Sequence, residues 1–91
     1  MNEIETYTLI ISTDEMYDAT MDERGMKLID AVKAEKDFVG VYQDPAGKFQ
    51  MFLFKTPEAR DNVHHKLQQY FGTCVVTRQS VFVDEKYISK N

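Results

Sequence analysis

Residues 38–54 read FVGVYQDPAGKFQMFLF. Two runs rich in aromatic and branched residues, Phe38 to Gln43 and Lys48 to Phe54, flank Asp44, Pro45, Ala46 and Gly47. Aspartate first, proline second and glycine last is the residue order of a type I turn: proline presets φ, aspartate bonds back to its own backbone, and glycine closes. The stretch is read as a β-hairpin. With Asp44 and Lys48 closing the turn, Val39, Val41, Phe49, Met51 and Leu53 share one face. Phe38, Tyr42, Phe52 and Phe54 then share the other, with Gly40 opposite Phe52. Both faces are apolar, whereas an antiparallel sheet with one wetted side should alternate. Something should therefore cover the second face: a partner, the segment 12–22, or the C-terminal segment 79–91.

Upstream, Glu3 to Ser12 (EIETYTLIIS) has the composition of a strand. Ser12 and Glu15 have capping-box spacing, and Asp22 supplies a second helix start. One helix over 13–36 would run about 36 Å, against about 20 Å for strands of five or six residues, so a break is expected. The main helix is placed over 22–36, burying Gly25, Leu28, Ile29 and Val32, with Gly25 giving close approach to the sheet. Segment 12–22 is left open between loop and helix. Downstream, Thr56, Pro57 and Glu58 start a helix that Gly72 stops. Thr73 to Arg78 is the last main strand, and Ser80 to Val83 continues or follows it.

Strand, helix, strand, strand, helix, strand is the ferredoxin-like βαββαβ pattern: a four-stranded antiparallel sheet with two helices on one face, here with an extra C-terminal strand as an option. Residues 1–91 form a single domain on this reading. The run Thr73 to Val83 would reach about 36 Å if continuous, well beyond its neighbours. Val81, Phe82 and Val83 are accordingly expected to pair with a sheet edge of their own subunit or of a second copy. Tyr87 and Ile88 should anchor the tail before it frays.

Fifteen acidic against eleven basic residues give a net charge of -4, the wrong sign for neutralising phosphates. The segment GKFQMFLF is similar to the RNP1 strand of RNA-recognition motifs, but Gln50 replaces the small residue between the aromatic pair and Met51 takes the second stacking position. A nucleic-acid partner is set aside. The single cysteine, Cys74, is read as a buried strand residue that forms no internal disulfide. No apolar run approaches the roughly 18 residues of a membrane span, and the N-terminus lacks a leader pattern, so a cytoplasmic location without membrane contact is expected.

Adjacent His64 and His65 point about 100° apart on a helix and do not converge on one metal. No nucleophile, phosphate-cradle or zinc motif is present, so no catalytic, cofactor or metal residues are assigned. Asp14, Glu15, Asp18, Asp22 and Glu23 form an acidic loop, with no Lys or Arg before Arg24. The function these features favour is an interaction or regulatory module without catalysis, acting through the open sheet face of Ile10, Val39, Val41, Phe49, Met51 and Leu53. Its partner would be a second copy or another protein. Two alternatives stand beside it. One is a dimeric α/β barrel enclosing a small-molecule pocket, as in the small monooxygenases this arrangement resembles. The other is a small inhibitor or adaptor, of the sort phages and mobile elements encode, that sets its acidic loop against a basic partner.

Overall fold

The structure is a computed structural model that describes residues 2–89, apart from the side chain of Gln79. Strand β1 (Glu3–Ser12) leads into helices α1 (Thr13–Thr20) and α2 (Glu23–Lys33). The hairpin β2 (Phe38–Gln43) and β3 (Phe49–Phe54) follows, then α3 (Pro57–Phe71), β4 (Val76–Asp84) and a two-residue strand β5 (Ile88–Ser89). All strand pairs are antiparallel, and the five-stranded order is β4-β1-β3-β2-β5. The expected ferredoxin-like arrangement of four strands and two helices is therefore corrected. Residues 13–20 fold as a helix of their own, and the C-terminal segment returns as a fifth strand.

The break between α1 and α2 has a local cause. Ser12 Oγ accepts from the Glu15 amide at 3.2 Å and starts α1. The Met21 and Asp22 amides then turn back onto the Asp18 and Ala19 carbonyls and close it. Gly25 lets α2 start against that end: a Cβ at residue 25 would lie 2.4 Å from the Ala19 carbonyl oxygen. Its close approach is thus to α1, not to the sheet. Helix α3 begins where Thr56 Oγ1 accepts from the Ala59 amide at 3.1 Å, with Pro57 in the first turn, and it gives way at Gly72 with φ +63°.

The hairpin turn is one residue longer than its sequence suggests. Gly47 N–H donates to the Asp44 carbonyl at 2.8 Å, and the Lys48 amide donates to the Asp44 carboxylate at 2.9 Å. The ladder is nevertheless closed by the Asp44 amide on the Phe49 carbonyl, so Gln43 faces Gln50, Tyr42 faces Met51 and Val41 faces Phe52. A shift of one residue moves a strand's side chains to the opposite face. Val41 therefore lies in the helix-side core with Phe52 and Phe54, Tyr42 joins the second face with Met51 and Leu53, and Gly40 faces Leu53. An irregularity between Phe38 and Gly40 restores Phe38 to Phe54 and keeps Val39 on the second face.

The second face is covered by the chain's own C-terminus. Val81, Phe82 and Val83 pair with Thr6, Glu5 and Ile4. That part of β1 lies beyond the end of β3, whose ladder with β1 spans Tyr7 to Ser12. Val83 is still buried in one cluster with Met51 and Leu53, and Val81 and Ile88 pack on it. The β1–β4 ladder must curl over the face. Chain length requires the same: β4 and β5 lie at opposite ends of the strand order, about 19 Å apart in a flat sheet. The four steps from Asp84 to Ile88 reach at most about 14 Å. The sheet is rolled. An extra residue in β4, where the ladder passes from Thr6–Val81 to Thr8–Arg78, supplies part of the bend. Lys90 and Asn91, the end expected to fray, lie outside the described residues.

Candidate protein-docking groove

A groove of about 540 Å³ opens between α1, α2 and the β2–β5 edge. Its floor is core: Met16, Ile29, Val41 and Phe52 are buried side chains that also line the opening. Its rim carries Tyr17 (63% exposed) from α1, Met26 (38%) from α2 and Tyr87 (60%) from the 3-10 turn Glu85–Tyr87 that leads into β5. Polar groups are interspersed: Thr13, Thr20, Gln43, Gln50, Asp30 and Lys33. The Thr13 hydroxyl is buried and has no hydrogen-bond partner.

Three devices hold these walls. The Thr13 amide donates to the Lys48 carbonyl at 3.0 Å, fixing the start of α1 to the hairpin loop. Tyr70 on α3 donates its hydroxyl to the Asp22 carboxylate at 2.6 Å, and the Arg24 guanidinium lies 5.5 Å from the centre of the Tyr70 ring, tying the α1–α2 corner to α3. This contact holds the Asp22 carboxyl below its ordinary range and pushes the Tyr70 phenol up. On the far wall, β5 pairs Ile88 with Tyr42 and Ser89 with Val41. It sits over Gly40, the one position on β2 without a side chain to obstruct it.

The expected sheet-face residues do not form an open patch. Met51 and Leu53 are buried under Val83, while Ile10, Val39 and Phe49 pack half-buried around the same cluster. Val41 belongs to the opposite core, through the register shift. The acidic segment is helical, and its five acids separate. Asp22 is bound by Tyr70, Glu23 pairs with Lys27 at 3.3 Å, and Asp14 and Asp18 stand exposed on α1 with Glu15 half-buried beside them. Among the described residues no salt bridge reaches Asp14, Glu15 or Asp18. Cys74 also needs correction. The chain makes a 3-10 turn over Gly72–Cys74 before β4 begins at Val76, which leaves the thiol exposed instead of buried in a strand.

Two other surfaces compare poorly with the groove. The mouth of the roll, about 820 Å³, sets Lys33 and Lys55 against Glu5 and Glu85 around half-buried Ile4, Phe38, Val39 and Ile88, and no well-exposed apolar side chain lines it. The outer edge of β4 exposes Val76 and Phe82, but its bulge interrupts the strand and Arg60 Nη1 donates to the Arg78 carbonyl at 2.7 Å. Edges blunted in this way resist strand addition. The sequence does not single out Tyr17 or Met26, and of the two expected tail anchors only Ile88 packs and pairs, whereas Tyr87 stands exposed on the groove rim. The signal for Tyr17 is the spacing of Thr13, Met16, Tyr17 and Thr20, which on a helix form one stripe. No family model matches the chain, and neither a curated protein nor a solved structure matches it. No helix among the described residues is long and apolar enough to cross a membrane.

Proposed function

We propose that this chain is a protein-interaction module that docks a segment of another protein in the groove between α1, α2 and the β2–β5 edge. One observation carries the reading: Tyr17, Met26 and Tyr87, from three separate elements, stand exposed around a single apolar floor. Exposed apolar groups scattered singly need no explanation, but convergent ones around a concave floor have the form of an anchor site for a partner's side chains. The broad sheet face is assigned no such role, because the chain's own C-terminal strands fill it. The proposal places the module in the cytoplasm, in keeping with one exposed, unpaired thiol at Cys74.

Comparative capture from the native cell tests this. The full chain should retain a protein that the double variant Tyr17→Ser/Met26→Ser loses, while the variant's melting stays close to that of the parent because both side chains sit at the surface. A protein retained equally by parent and variant would remove the groove as its docking site. Sedimentation alongside shows whether the partner is a second copy, which the same substitutions should then dissociate.

A further inference from the structure

The charges beside the groove narrow its occupant, and we propose that it takes a basic amphipathic segment of the partner, apolar side chains in the groove and Lys or Arg along α1. The inference rests on the groove being the docking site and adds the chemistry of what docks. Helical spacing puts Asp14 and Asp18 one turn apart on the outward side of Tyr17, with exposed Met21 close by. Helix α1 has no basic residue in its last turn, so its negative pole adds to the Asp18 charge. Away from α1 the groove carries no negative surplus: Asp30 and Lys33 line it together, and the Lys86 ammonium lies 5.0 Å from the centre of the Tyr87 ring on the rim. Asp22 and Glu23 are already engaged by Tyr70 and Lys27. The surplus of negative charge is therefore on the α1 side, where Asp14 and Asp18 run alongside an apolar strip.

A wholly apolar occupant would cover Tyr17 and Met21 yet partly desolvate two carboxylates without a counter-charge, and an acidic one would be repelled. Lys and Arg satisfy both features at once. Their methylene stems cover apolar surface while their head groups reach the carboxylates.

The test is selection of random dodecapeptides displayed on phage against the full chain, with counter-selection on Tyr17→Ser/Met26→Ser to keep only groove-dependent binders. These should combine Leu, Ile or Phe with Lys or Arg, weaken as salt is raised, and lose about fivefold in affinity on Asp14→Asn/Asp18→Asn. Groove-dependent binders without basic enrichment, unmoved by the Asn substitutions, would overturn the charge assignment and leave the docking site standing. If no groove-dependent binder emerges, the docking site falls and the assignment with it. Both aspartates are exposed and outside any salt bridge, so unchanged melting of the Asn variant separates lost recognition from lost structure.

Discussion

Ile88 crosses Gly40 so closely that a Cβ at residue 40 would fall 2.4 Å from Ile88 Cγ2 and 2.7 Å from the Ser89 carbonyl oxygen. Gly40 also holds φ +156°, a conformation that side-chain-bearing residues rarely adopt. The bare position on β2 is thus the seat of the chain's last strand. Gly40→Ala should unseat β5 and cost about 2 kcal/mol. Amide exchange would show it as lost protection at Ile88 and Ser89, with a lowered melting temperature.

Truncation after Asp84 removes β5 and the turn before it while leaving the β1–β4 ladder in place. The cluster of Met51, Leu53 and Val83 then loses Ile88 from its margin. Greater binding of a hydrophobic dye and a lower denaturation midpoint are expected. A truncated chain with parental values for both would mean that the tail contributes nothing to closure.

Two threonines on one face of β1 should respond in opposite directions. Thr6 and Thr8 are both fully buried, but Thr6 Oγ1 donates to the Val81 carbonyl at 2.9 Å whereas the Thr8 hydroxyl has no partner. Thr8→Val removes an unsatisfied polar group at nearly constant volume and should stabilise by about 1 kcal/mol, while Thr6→Val should destabilise by about as much. Urea denaturation of the two variants checks both signs.

The Asp22–Tyr70 contact makes stability depend on pH at both ends. Asp22, with its carboxyl held below the ordinary 3.8 mainly by the Tyr70 hydrogen bond, contributes stability above that value and loses it as pH falls through the lower folded-state pKa. Tyr70, raised above 10.0 mainly by the same bond, contributes below that value and loses it as pH rises through its folded-state pKa. Tyr70→Phe should flatten both limbs in a plot of melting temperature against pH, and Asp22→Asn should remove the acid one and weaken the alkaline one, because the Asp22 carboxylate is what raises Tyr70.

The hairpin and α3 could be read from sequence because their signals are local: Asp44 to Gly47 makes its turn, and Thr56, Pro57 and Gly72 bracket the helix. The face of Val41 could not. It turns on whether Lys48 or Phe49 closes the loop, a choice of one residue that turn chemistry leaves open. The roll was only half legible. The excess length of the last strand implied edge pairing, but its return over Met51 and Leu53 to Gly40 depends on contacts far apart in sequence. The groove is not legible because the residues of segment 12–22 do not by themselves decide between loop and helix. Only as helix α1 do Thr13, Met16, Tyr17 and Thr20 share a side, with Asp14 and Asp18 beside it.

Docking of another protein in the groove can be caught by photocrosslinking from within it. A photoreactive phenylalanine placed at Tyr17, on the rim, is compared in the native cell with the same group at Gln68, exposed on α3. A discrete adduct with a second protein is expected from position 17, absent from position 68 and diminished by Met26→Ser. An identical adduct from both positions, or adducts from position 68 alone, would contradict docking in the groove.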